Sequence, residues 1–148
     1  MSIAIEEAHK AASRDEVPIG AVIVLNNKVI SYSGNRMKEL NDVTAHAEIL
    51  AIRMGCQILS QERLTGADLY VTLEPCAMCA AAISFARIRR LYYGTNDPKS
   101  GGIENHGCFY SQKTCHHKPD VYSGIEIYQT KKILQEFFLR KRHIKVGI

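Results

Sequence analysis

The sequence predicts a single α/β layered domain spanning residues 1–148, on three observations. Apolar, β-branched runs alternate with segments of helical period, the pattern of strands and helices stacked in layers. The chain has 148 residues, enough to bury a substantial core. No internal repeat and no linker-like composition divides it. Hydrophobic residues make up 46% and charged residues 23%, the balance of an ordinary water-soluble chain. No apolar run approaches the roughly 18 residues needed to span a bilayer, so no membrane partner is expected. The opening MSIAIEEAHK carries acids and no long apolar core, so it does not read as a signal peptide. A cytoplasmic protein is expected. In that compartment five cysteines point to metal binding or catalysis rather than disulfides.

The elements follow in order. Residues 3–14 have helical character. VPIGAVIVL (17–25) is an apolar run read as a buried strand. Asn26-Asn27-Lys28 is a turn signal, and VISYSG (29–34) follows as the partner strand of a hairpin. A polar stretch to Asp42 leads into a helix beginning at TAHAE, with Asp42 or Thr44 as its N-cap. DLYVTL (68–73) is a strand, and Pro75 opens a helix of small residues, CAMCAAAISFA. RRLYYGT (89–95) is the next strand. Residues 96–120 show no clear period, and a loop this long in a compact domain is usually functional or partly ordered by a partner. GIEIY (124–128) is read as a last short strand, and TKKILQEFFLRKR as a closing helix.

Net charge is +4, and it is unevenly placed. Lys131, Lys132, Arg140, Lys141, Arg142 and Lys145 face only Glu136 in the last eighteen residues, while the rest of the chain is close to neutral. Such a tail is either a footprint for a polyanion or a solvated helix face.

Two short stretches carry chemistry. In TAHAEILAIR, His46 and Glu48 stand in an otherwise apolar helix, where a polar group needs a partner. In TLEPCAMC, Cys76 and Cys79 have the spacing of a metal-binding pair. Both cysteines fall at a helix start, where free N–H groups and the macrodipole favour anions, so both thiols are expected to ionise readily. His46 supplies a third ligand and no fourth is evident. Three protein ligands leave one position for water, the mark of a catalytic rather than a structural zinc site. Glu48 is then placed to move the proton of a water that zinc acidifies to a pKa of about 7. The bland alternatives are a structural His-x-Glu pair, a redox Cys-x-x-Cys, and a zinc ribbon closed by Cys108 and Cys115. None of them uses both stretches. Cys56 reads as a small core residue.

H-x-E followed by P-C-x-x-C is the pattern of the zinc deaminases. With VPIGAVIV, the GN of SGNR, TAHAEILAIR, TLEPCAMC, ARIRRLYYG and the terminal FFLRKR, the chain resembles the bacterial tRNA-specific adenosine deaminases, over about residues 3–142. The resemblance implies a three-layer α/β/α cytidine deaminase-like fold around a mixed five-stranded sheet, and a homodimer. It implies hydrolytic conversion of adenosine to inosine at wobble position 34 of a tRNA anticodon, classically that of an arginine tRNA, with Zn2+ and no organic cofactor. By position, His46, Cys76 and Cys79 match the zinc ligands and Glu48 the proton shuttle. Asn35 matches a residue that holds the target nucleoside, and the Ala47 backbone a contact to the base. Asp97, Lys99 and Ser100 match a segment approaching the RNA, and Phe137, Phe138 and Arg142 match terminal-helix residues that shape the anticodon-loop site. Val43 stands where the family usually carries proline, and the loop GGIENHGCFYSQKTCHHKPD departs from the pattern.

Two rivals remain at this stage. A deaminase of a free base or nucleoside, of guanine or cytosine type, would use the same zinc and glutamate but has no use for a basic tail. A non-catalytic, zinc-stabilised RNA-binding domain would close its metal with four ligands.

Overall fold

A computed structural model describes residues 1–146 of the chain. Helix α1 (Ser2–Ser13) leads into the hairpin β1 (Gly20–Leu25) and β2 (Lys28–Gly34). Asn26 and Asn27 both adopt positive φ, 50° and 61°, the backbone of a type I′ turn that matches strand twist. A one-turn helix α2 (Met37–Leu40) precedes α3 (Ala47–Leu59). Then come β3 (Asp68–Leu73), α4 (Ala77–Phe85), β4 (Arg90–Thr95), β5 (Asp120–Tyr122) and α5 (Ile127–Val146).

The sheet order is β2-β1-β3-β4-β5. β1 pairs antiparallel with both β2 and β3, whereas β3–β4 and β4–β5 are parallel. This is the mixed five-stranded sheet anticipated. Side chains alternate across it. Ala21, Ile23, Leu69, Val71, Leu91 and Tyr93 are buried on one face with Ala47 and Ala51 of α3 and Ala80 and Ile83 of α4. The opposite face takes α1, whose Ala4 and Ala8 backbone lies so close to Gly20 that any side chain there would collide. Farther along that face Tyr70, Tyr92 and Tyr122 occupy one register row and stack, with centroids 4.5 and 4.9 Å apart. The stack pins the register of the short edge strand β5.

Two expectations need correction. GIEIY is not a strand: the edge strand is DVY, and Glu126, at φ 54°, turns the chain into α5 one residue later. Ile125 donates its N–H to the Tyr93 carbonyl without extending the ladder. Asp42 and Thr44 do not cap α3. Asp42 Oδ1 accepts from the Thr44 N–H (2.8 Å) and hydroxyl (2.7 Å), a local turn that competes with the helix. The helix begins later, with His46 in the N-cap position.

The long loop is ordered by α4. Tyr110 donates to the Ala80 carbonyl (3.0 Å), Ser84 to the His117 carbonyl (2.7 Å), and Cys115 packs against the core. Those bonds give the His117 and Cys115 region a structural role that composition alone did not reveal.

Candidate active site

Two helix starts meet above the sheet. His46 is the N-cap of α3, Cys76 the N-cap of α4, and Cys79 lies one turn into α4. The N-caps make no side-chain cap bond of their own, which leaves all three side chains to one another. His46 Nδ1 is 3.7 Å from Cys76 Sγ and 3.5 Å from Cys79 Sγ, and the three donor atoms lie within 4.8 Å of each other. A tetrahedral zinc with Zn–S of about 2.3 Å and Zn–N of about 2.05 Å would set nitrogen and sulfur about 3.6 Å apart. The residues fit the ion.

The electrostatics agree. Cys79 donating to Cys76 holds the Cys76 thiol down at about 4. The same shared proton, together with burial, pushes Cys79 upward. The two thiols thus share a proton, and a cation bound by both sulfurs would displace it. Donation to the Cys76 sulfur raises His46. Glu48 is 3% exposed, and burial pushes its carboxyl up to about 7. Among the described residues its Oε2 has no hydrogen-bond partner. A buried, unpartnered carboxyl that titrates near neutral pH, beside a metal-ligand cluster, is suited to carrying protons.

A groove of about 900 Å³ opens from His46. Its walls include Asn35, Asp97, Lys99, Ser100, Phe138 and Arg142, all expected from the sequence. Asn35 is buried and its Oδ1 accepts the Ala47 N–H (2.8 Å), so one side chain caps α3 and leaves its amide N–H₂ for a ligand. Ala47 itself is buried, its N–H committed to that bond. Asp97 Oδ1 accepts from the Lys99 and Ser100 N–H groups, both at 3.1 Å, and shapes the rim they occupy. Phe138 is 45% exposed, whereas Phe137 is 5% exposed and does not line the groove. The two rings meet edge to face, and Lys141 Nζ lies 5.6 Å from the Phe137 centroid. Arg142 and Lys131 bring the basic helix to the groove.

The remaining walls escaped sequence reading. Val17, Ile19, Met37 and Leu73 give it an apolar side, and Thr95 and Asn96 its floor beside β4. They come from separate segments, and no local spacing joins them. The topology does supply a signal: parallel strands β3 and β4 end here, and ligands of α/β sheets bind beyond such strand ends.

Residues 1–142 match the family of MafB19-like deaminases. The chain is 66% identical to a tRNA-specific adenosine deaminase of Agrobacterium fabrum over 142 residues, covering 96% of this chain and 93% of that one. It is 40% identical to a protein of the same name from Bacillus subtilis, covering 96% and 89%. A solved structure from a study of A-to-I editing by tRNA:A34 deaminases superposes with a TM-score of 0.90 at 67% identity, over 90% of this chain and 97% of that chain. A guanine deaminase from Nitrosomonas europaea, 20% identical with a TM-score of 0.77 over 92% and 81%, shares the fold. A His-Cys-Cys ligand set at two helix starts, a buried glutamate beside it and likeness along nearly the whole chain thus agree: this chain belongs to the MafB19-like deaminases and to the tRNA-specific adenosine deaminase family.

Proposed function

We propose that this chain hydrolyses the adenosine at wobble position 34 of a tRNA anticodon to inosine, with an arginine tRNA as substrate. Zinc is its metal, the cytoplasm its compartment and a second copy of the chain its partner. The observation that carries the reading is the groove itself: it joins His46 of the ligand cluster to Lys99, Lys131 and Arg142. A free base needs the cluster but not the cations; an anticodon loop needs both.

His46, Cys76 and Cys79 would hold the zinc, which supplies an acidified water as nucleophile at neutral pH. The chain's own groups do the rest. Asn35, fixed through Oδ1 on the Ala47 N–H, presents its amide to the nucleoside. Val17, Ile19 and Leu73 exclude bulk water from one side. Glu48 takes a proton from the attacking water at its free Oε2 and delivers it to N1 of the adenine, then takes the hydroxyl proton from the tetrahedral C6 and passes it to the departing amino group. One water enters and one ammonia leaves, so no organic cofactor is needed. Phe138, half-exposed on the rim, offers a stacking face to a neighbouring base.

Apolar side chains on the outer faces of two helices support the dimer. Met54 and Ile58 lie one turn apart on α3, and Met78 and Phe85 two turns apart on α4; Phe85 is 70% exposed. Among the described residues no helix is long and apolar enough to cross a membrane.

The test is inosine formation in an arginine tRNA bearing a wobble adenosine, with free adenosine, cytidine and guanine alongside. Inosine in the tRNA and unchanged free compounds are expected. Deamination of a free base with the tRNA untouched would overturn the RNA assignment and leave the Glu48 chemistry standing.

A further inference from the structure

We propose that Glu74 is a positioning residue for this reaction. Its buried carboxylate fastens the 97–105 segment, whose Asp97, Lys99 and Ser100 wall the groove, onto the ligand-bearing start of α4, and thereby governs the grip on RNA. The inference deepens the tRNA reading above and rests on it.

Glu74 is 2% exposed, and a carboxyl group at such depth must be met by hydrogen-bond partners. Among the described residues no lysine or arginine pairs with it. Its donors come from one loop. Oε2 accepts the backbone N–H groups of Ile103 (3.3 Å), Glu104 (3.3 Å) and Asn105 (3.4 Å), and Oε1 accepts from the Asn105 side-chain amide. Three successive N–H groups converging on one oxygen form an anion-binding concavity, here filled by the chain's own carboxylate.

The contact is close enough to demand glycine twice. A side chain on Gly101 would collide with the Glu74 carboxylate, and one on Gly102 would come within 2.7 Å of the Cys76 carbonyl carbon. The backbone completes the clamp. Gly102 donates to the Pro75 carbonyl (2.8 Å), Gly101 bridges to Cys76, and the Glu74 N–H donates to the Thr95 carbonyl (2.9 Å). Gly101 also donates to the Asp97 carbonyl (2.9 Å), while Asp97 Oδ1 orders Lys99 and Ser100. An unbroken path therefore runs from Glu74, two residues before a metal ligand, to three groove-lining residues. The path needs an acceptor at both carboxylate oxygens. A glutamine would turn a donor toward donors, and the backbone N–H groups cannot reverse to suit it.

The experiment compares wild type with Glu74→Gln in the full chain carrying zinc, by metal content, amide hydrogen exchange over residues 101–106, and kinetics on an anticodon stem-loop. Glu74→Gln is expected to keep its zinc, to exchange the amides of 103–105 about tenfold faster, and to raise KM about tenfold while kcat falls less than about threefold. Local exchange and KM at wild-type values would overturn the proposal. So would a lower melting temperature with uniformly faster exchange and unchanged KM, the outcome of a merely structural role. Should Glu74→Gln fail to fold, Asn105→Ala removes one donor from an exposed residue and should move exchange and KM in the same direction, by about threefold; wild-type values there would overturn it. The exchange measurement uses no RNA. A wild-type chain that leaves the stem-loop untouched would sink the tRNA reading, while freed amides in Glu74→Gln would still sustain the clamp.

Discussion

At the scale of single residues, the site divides on the proposed reading into His46, Cys76 and Cys79, which could hold a metal, and Glu48, assigned to moving protons. Glu48→Gln removes the titrating oxygen and keeps the volume, so inosine formation should fall by about 10³-fold while metal content per chain is unchanged. Cys76→Ala removes the thiolate and should lose the metal, read by elemental analysis, together with part of the stability that metal binding lends the fold. The neighbouring phenylalanines should separate cleanly. Phe137→Ala empties a core position and should cost about 3–5 kcal/mol in denaturant unfolding, whereas Phe138→Ala should leave stability within about 1 kcal/mol and raise KM for a stem-loop. His46, Glu48, Cys76 and Cys79 were legible in the sequence because each pair is local and opens a helix. Which of two adjacent phenylalanines faces the groove was not, since that depends on how α5 is rotated against the sheet. Glu74 sits inside the most informative stretch and was still missed, because its partners lie about thirty residues away in a loop without period.

At the scale of elements, the placement of α5 decides the rim of the groove. Asp15, just past the end of α1, accepts from Lys38 of α2 (2.8 Å) and pairs with Lys141 of α5, tying three elements at one exposed point. Lys141 and then Lys38 hold its carboxyl down at about 2, below the ordinary 3.8. A depressed carboxylate stabilises the fold above its unfolded value and loses that contribution as pH falls through the folded one. Acid unfolding of wild type and Asp15→Asn should therefore differ above pH 3.8 and converge toward pH 2, with the difference shrinking in high salt. Most elements were readable: the hairpin from its paired asparagines, the strands from their β-branched runs, α4 from the proline before it. The edge strand failed because DVY is three residues long, too short to show alternation, while GIEIY alternates without pairing. The start of α3 failed because Asp42 bonds its own neighbourhood.

At the scale of the whole molecule, charge and fold act together. Lys99, Lys131 and Arg142 reach one groove from a loop and from α5. Each phosphate they meet should add to the salt dependence of RNA binding, so Arg142→Ala should lower the slope of log affinity against log salt by about 0.7–0.9. A free nucleoside, measured alongside, should barely respond. The basic tail was visible in composition, but its meeting with residues 97–100 requires α5 to pack against β4, a long-range event with no local trace. The ligand cluster has the same long-range character. His46 belongs to the helix packed on the hairpin, and Cys76 and Cys79 to the crossover joining the parallel strands, so an ion held by all three cross-links the two halves of the sheet. Thermodynamic linkage follows: free zinc at a hundredfold its dissociation constant would add about 2.7 kcal/mol to the folded state. On the zinc reading proposed above, a cell starved of the metal would lose this enzyme as protein as well as turnover.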